Sequence, residues 1–256
     1  MTIFASEEKI SESPLILGHR GSSIEKNFPE NTLPAFREAL DLGADGIELD
    51  IYLSADEQLV VCHDQNLSRL TGIDRNIHDM NVEEIRQLRF LNHMNNPELY
   101  IPTLAEVFEG LGGEFICNIE VKKNWISYKK LVPRLNDFIV RNRLTERVWV
   151  SSFDPILLKM WHKTGSSVPP AFLFERWSPF LRWLSNRKFI KILHPSVNLP
   201  VSLKILERSG KKICFWTVNS TEDFLKIGKV KNLVALITDN VKLARKHFPG
   251  KDAGRT

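Results

Sequence analysis

Four short polar groups interrupt apolar stretches of the chain: His19-Arg20, Glu48-x-Asp50, His63-Asp64 and Asn118-x-Glu120-x-Lys122. In extended backbone, residues two apart project from one face, so Glu48 joins Asp50 in one row and Glu120 joins Lys122 in another. Three carboxylates gathered without compensation would be costly, through lost hydration and mutual repulsion. One divalent hard cation, Mg²⁺ or Ca²⁺, is the simplest remedy, because carboxylate oxygens are its preferred ligands. Glu48, Asp50 and Glu120 are therefore the candidate metal ligands. His19 and His63 suit proton exchange near neutral pH, as a general acid and base. Arg20 offers a two-pronged donor and Lys122 a compact charge, both suited to an anion. Together these groups describe a site for a phosphate ester whose oxygens the ion would polarise.

Each feature has a plainer reading when taken alone. A histidine at a strand end is more often a structural hydrogen-bonding group. A Glu-x-Asp pair is commonly a solvated edge, and Lys122 could continue with Lys123 onto the surface. The combination gains weight only if separate elements carry these residues to one place.

Such elements can be read along the chain. Strand-like runs occur at 15–19, 46–53, 115–122, 147–153, 170–175, 191–197, 212–218 and 234–239. Helical spacing follows at 32–43, 103–112, 125–144, 155–165, 201–210, 221–230 and 240–248. Gly43, Gly112, Gly165 and Gly210 close several of these segments, as the position after a helix favours. Eight strand–helix units in 256 residues predict a (β/α)₈ TIM barrel, a single domain over 1–256. An open doubly wound sheet is the alternative, but its glycine-rich dinucleotide fingerprint is missing from the sequence. The stretch from about 54 to 102 is longer than a loop requires. It holds an extra strand at 58–64 and a short helix at 81–90, and it reads as an insertion after the second strand. In a barrel the chemistry lies at the carboxyl ends of the strands, where the polar groups above fall.

Composition narrows the partners. A formal charge of +4 without any long Lys/Arg block gives nucleic-acid binding little support. Attraction to anionic substrates or membrane surfaces stays open. The three cysteines, Cys62, Cys117 and Cys214, are widely spaced in apolar runs, which suits reduced thiols and a cytoplasmic protein. Acidic residues near the amino terminus argue against a secretory signal there.

The blocks "GHRGSSIEKNFPENTLPAFREALDLGADGIELDIYLSADEQLVVCHDQNLSRLTG", "IPTLAEVF", "NIEVK", "SSFD", "WTVN" and "ITDN" resemble the glycerophosphodiester phosphodiesterase family, in family order over nearly the whole chain. The resemblance implies a metal-dependent TIM barrel with a small insertion after strand two. It implies one metal ion on Glu48, Asp50 and Glu120, His19 and His63 as the acid–base pair, and phosphate held by Arg20 and Lys122. Glu30 looks like a supporting residue, though Glu30-Asn31-Thr32 would also serve to start a helix. Phe153 and Trp216 would shape the pocket around the glycerol or the leaving group. The implied reaction is hydrolysis of a small glycerophosphodiester to glycerol 3-phosphate and an alcohol. A lysophospholipase D, a lyase that stops at a cyclic product, and a silent phosphate-binding barrel are the other readings. Two departures from the family pattern are Glu57, where glycine is frequent, and a "TDN" block without the usual proline.

The segment "ERWSPFLRWLSNRKF" (175–189) places Trp177, Phe180, Leu181 and Leu184 at helical spacing among Arg176, Arg182, Arg187 and Lys188. An outer helix burying its apolar stripe is the simpler expectation. The sharper one is peripheral membrane contact near the mouth of the site. Nothing in the sequence addresses the oligomeric state.

Overall fold

The computed structural model describes residues 13–21, 27–96, 98–124, 127–200 and 202–250. Nine strands order the fold: β1 (Leu15–His19), β2 (Gly46–Leu53), β3 (Leu59–Val61), β4 (Ile116–Val121), β5 (Val148–Ser152), β6 (Pro170–Phe174), β7 (Ile192–Pro195), β8 (Lys212–Phe215) and β9 (Leu233–Thr238). Eight are parallel neighbours in the order β1-β9-β8-β7-β6-β5-β4-β2, and the β1–β2 pairing closes the ring. The ninth, β3, pairs antiparallel with β2 outside the ring. This is the expected TIM barrel.

Ten α-helices among the described residues complete it: α1 (Leu33–Asp41), α2 (Ser68–Thr71), α3 (Val82–Arg86), α4 (Leu104–Leu111), α5 (Tyr128–Arg141), α6 (Pro155–Lys163), α7 (Pro179–Ser185), α8 (Leu203–Glu207), α9 (Thr221–Ile227) and α10 (Val241–His247). The capping chemistry explains several starts. Thr32, Thr103, Asp154, Ser178, Ser220 and Asn240 each accept a bond from a first-turn backbone N–H. Pro34, Pro155 and Pro179 occupy first-turn positions, where a missing N–H costs little.

Strand positions agree with the sequence reading, while some lengths do not. The helix expected over 201–210 spans only Leu203–Glu207, and the one over 81–90 only Val82–Arg86. Periodicity marks which face is apolar, but a helix ends where its last amide finds another acceptor. Of the segment expected at 125–144, residues 125 and 126 lie outside the described part. Glu57 has φ +61, which accounts for glycine being frequent at that position. Its carboxylate engages Lys130 at 2.6 Å and also Arg134, both on α5.

The core has three parts. A large layer between strands and helices includes Ile16, Ile47, Leu49, Val150, Phe172 and Phe215. The barrel lumen holds Leu17, Trp149, Ala171, Ile192, Cys214, Ala235 and Ile237. The segment after β2 packs a cluster of its own, with Tyr52, Cys62, Leu67, Ile77, Met80, Ile85 and Phe90. Within the lumen His194 is fully buried, and its Nε2 accepts the Trp149 indole N–H at 3.0 Å. Burial pushes that imidazole down to about 3, so it is a neutral acceptor.

On α7 Leu184 is buried and Leu181 packs against the core, as does Trp177 just before the helix, in agreement with the simpler expectation. Phe180 departs from that stripe. It is 60% exposed and stacks on Trp183, itself 55% exposed, with ring centroids 5.9 Å apart. Arg187 lies over the Trp183 ring at 3.4 Å.

Gly46 stands where β2 passes β4, and a Cβ there would overlap the backbone carbonyl of Ile116. Backbone cannot rotate aside as a side chain can. Gly46→Ala is expected to cost about 1–3 kcal/mol, the usual range for overpacking, read as a lower midpoint in urea unfolding.

Candidate active site

Strand register assembles the carboxylates. Residue His19 of β1 aligns with Glu48 of β2, and Asp50 of β2 aligns with Glu120 of β4. All three acids are buried, and one oxygen from each lies within 4.8 Å of the others. The sequence placed them on a shared rim; the fold brings them to one point.

Cations and dipoles surround this cluster. Lys122 Nζ lies 2.9 Å from Asp50 Oδ1 and 2.6 Å from Glu120 Oε1. Arg20 Nε is 3.4 Å from Asp50 Oδ2, and the Arg20 backbone N–H donates to Glu48 Oε2 at 3.0 Å. Asn31 Nδ2 donates to Asp50 Oδ2 at 2.9 Å. Arg20 and Asn31 both occupy left-handed backbone, with φ +53 and +59. That conformation costs roughly 1–3 kcal/mol per residue, and here it turns the Arg20 amide onto Glu48.

The charge balance is uneven. Burial, reinforced by Asp50, pushes Glu48 up to about 8. Burial also raises Glu120, against the pull of Lys122. At Asp50 burial opposes ionisation, but Lys122 and Arg20 outweigh it and hold the carboxyl below its ordinary range. Two cations therefore satisfy one acid well and leave the cluster with unmet negative potential. A hard divalent cation fits this oxygen-only donor set.

Each candidate catalytic histidine has a carboxylate behind it. His19 Nδ1 lies 2.8 Å from Asp239 Oδ1, and Asn219 Nδ2 donates to Asp239 Oδ2 at 2.7 Å. His63 Nδ1 lies 2.6 Å from Asp64 Oδ1, while Arg69 grips Asp64 from the other side. Burial works against protonating His19, but the Asp239 hydrogen bond and the nearby Glu48 charge raise it overall. His63 is lowered, by burial and then by Lys122. The imidazoles thus differ in basicity although their partners are chemically alike.

Glu30 accepts from Arg20 Nη1 at 3.2 Å and from Arg69 Nη2 at 2.6 Å. It is a bridge between the barrel and α2, beyond its possible use in starting α1. Phe153 and Trp216 meet edge to face, with centroids 5.4 Å apart, and Trp216 Nε1 donates to the His194 carbonyl at 2.8 Å. All ten candidate residues therefore gather at the carboxyl end of the barrel. Asn31, Asp64, Arg69 and Asp239 were not among the candidates. The adjacency of His63 and Asp64 was a local signal for one, and the block "ITDN" marked Asp239 at the rim, but its contact with His19 spans 220 residues and no local pattern gives it.

Closed barrel, acidic cluster and paired imidazoles define a phosphoesterase-like β/α barrel. Residues 19–243 match the glycerophosphoryl diester phosphodiesterase family, and the chain belongs to that family. It is 35% identical over 248 residues to the glycerophosphodiester phosphodiesterase of Caldanaerobacter subterraneus subsp. tengcongensis, covering 91% of this chain and 98% of that one. It is 33% identical over 220 residues to human lysophospholipase D GDPD1, covering 78% and 67% respectively. A glycerophosphodiester phosphodiesterase structure from Thermotoga maritima superposes with a TM-score of 0.74 at 30% identity, covering 91% of this chain and 97% of that one. An Oleispira antarctica phosphodiesterase in complex with the product sn-glycerol-3-phosphate shares the fold, with a TM-score of 0.78 at 22% identity, over 93% and 97% of the two chains.

The buried Glu48 carboxyl makes a signed prediction for the protein kept in chelator. The unfolded chain loses the Glu48 proton near pH 4.5 while the fold retains it to about 8, so this group lowers stability as pH rises through that window. Glu48→Gln is expected to raise the melting temperature, with little gain at pH 5 and a larger one at pH 8. A gain that is equal at both pH values would refute this account of the site.

Proposed function

We propose that this protein hydrolyses glycerophosphodiesters, adding water to release glycerol 3-phosphate and an alcohol. The convergence of Glu48, Asp50 and Glu120 beside two carboxylate-backed imidazoles carries the reading. These three acids would hold one Mg²⁺ or Ca²⁺, which when bound polarises a phosphoryl oxygen and makes a neighbouring hydroxyl easier to deprotonate. Arg20 and Lys122 bind the phosphoryl oxygens and offset their charge in the transition state. One of His19 and His63 takes the proton from the attacking hydroxyl as its oxygen bonds to phosphorus. The other gives a proton to the alcohol whose P–O bond breaks. Attack by a glycerol hydroxyl gives a cyclic phosphate that water then opens; direct attack by water is the competing route. Asp239 and Asp64 fix the ring orientation of each imidazole, and Glu30 steadies Arg20. Phe153 and Trp216 shape the apolar side of the mouth. Buried cysteines without disulfides support a cytoplasmic location.

A second reading, lysophospholipid cleavage at a membrane surface, draws support from the exposed Phe180–Trp183 stack with Arg176, Arg182 and Lys188 close in sequence. Human GDPD1 carries the lysophospholipase D name. Among the described residues no helix is long and apolar enough to cross a membrane, so such contact would be peripheral.

Four measurements test these readings. Chelator-stripped protein is expected to be inactive on glycerophosphodiesters and to recover with Mg²⁺ or Ca²⁺. His19→Ala and His63→Ala should each lower the rate at least about 10²-fold in folded protein, and a substrate lacking the free glycerol hydroxyl should be turned over poorly if the cyclic route operates. For the membrane reading, the wild type should float with anionic liposomes and Phe180→Ser/Trp183→Ser should not.

A further inference from the structure

At the amino ends of the strands, opposite the catalytic rim, the barrel carries a second cavity of about 890 Å³. Pro170, Ile192 and Lys212, the first residues of β6, β7 and β8, line it together with the segments that lead into them. It is larger than the pocket at His63, Glu120 and Lys122, which has about 540 Å³, and its volume lies in the range that takes a whole small molecule. None of the ten candidate residues lines it.

Two kinds of surface meet there. Val168, Pro169, Pro170, Ile190 and Ile192 give a buried apolar floor. Around it stand Lys188, Lys191, Lys211 and Lys212. Among the described lining residues Glu146 is the one acid. Even with Glu146 set against Lys212, three lysines remain. Lys188 and Lys191 enter no ion pair among the described residues. Lys211 Nζ donates to the carbonyls of Arg187 and Ile190 at 3.1 and 2.6 Å, neutral acceptors that fix its position and leave its charge. Burial, and then the Lys191 charge, lower the Lys211 ammonium, so these cations repel one another. A cleft lined by one sign of charge concentrates ions of the other.

We propose that this cavity binds a nucleotide, with its phosphates on Lys188, Lys191 and Lys211 and its base on the proline and isoleucine floor. Three separate cations call for a ligand with several negative charges. A lone phosphate-sized ion would leave the floor uncovered, and a fatty acid would bring a single charge. A flat uncharged ring buries that floor, and ribose hydroxyls exchange hydrogen bonds with Thr145, Ser166 and Ser167, which also line the cavity. Arg20 and Lys122 lie at the other end of the barrel, so a bound nucleotide does not occupy the place of the substrate phosphate.

Calorimetric titration of chelator-treated protein with ATP, tripolyphosphate and adenosine tests the assignment. The wild type is expected to bind ATP with a Kd of about 10⁻⁴ M or tighter. Tripolyphosphate lacks the ring and should bind at least about tenfold more weakly than ATP; adenosine lacks the charges and should also bind more weakly. Lys188→Glu and Lys191→Glu change exposed side chains and should each weaken ATP binding at least about tenfold. Lys129→Glu, at an exposed position on α5 outside the cavity, makes the same change in net charge and should shift it less than about twofold. A wild type that binds no ATP, or a loss in Lys191→Glu no greater than in Lys129→Glu, overturns the site. Tripolyphosphate binding as tight as that of ATP overturns the nucleotide as its ligand. None of these outcomes touches the hydrolase reading, which concerns the other end of the barrel.

Discussion

Three carboxylates held together out of water are the constraint around which the rest of the structure is arranged. Their mutual repulsion and lost hydration oppose folding, and a protein selected for stability alone would not assemble them. Here the backbone of two adjacent parallel strands leaves them no alternative, because register sets Asp50 against Glu120 and alternation sets Glu48 beneath. Arg20 and Lys122 relieve part of the repulsion and concentrate that relief on Asp50. The remaining repulsion, expressed in the raised Glu48, is what a doubly charged ion on these oxygens would relieve. The residues that steady the acidic cluster are also those suited to a phosphate.

The imidazoles show how a rigid frame turns common side chains into differentiated ones. Both have a carboxylate on Nδ1, yet burial and then Lys122 lower His63, whereas at His19 the Asp239 hydrogen bond and the Glu48 charge outweigh burial and raise it. The supports differ in origin. Asp239 comes from the end of β9 and is held by Asn219, whereas Asp64 is gripped by Arg69 from α2. The left-handed turns at Arg20 and Asn31 belong to the same economy of position. Strained backbone there aims an amide at Glu48 and an amide side chain at Asp50.

The segment after β2 therefore belongs to the site as well as to the periphery. Its own apolar cluster anchors it, and Arg69 reaches back through Glu30 to Arg20. A change in this segment would be transmitted to His63 through Asp64 and to Arg20 through Glu30, by ion pairs and not through packing alone. It also lines the pocket that holds His63, Glu120 and Lys122, through Gln65, Asn66, Ser68 and Arg69. Barrel enzymes vary in chemistry through such connections while the ring of strands stays the same.

Much of this was legible from local pattern. Strand starts, the closed barrel, the extra segment and seven of the candidate residues followed from alternation, helical spacing and short motifs, because those signals are local and backbone hydrogen bonding restricts what they can mean; Glu30, Phe153 and Trp216 came from the family resemblance alone. Helix lengths at α3 and α8 were less so, since an end depends on where the last amides find acceptors. Phe180 stands exposed for a related reason: spacing identifies an apolar stripe, but packing decides which of its members the core admits. By itself the sequence determined which residues could do chemistry and which strands would carry them. Only the tertiary structure decided that Asp239 stands behind His19 and that Arg69 binds Glu30 and Asp64, because such contacts join residues far apart in the chain and depend on how the ring closes.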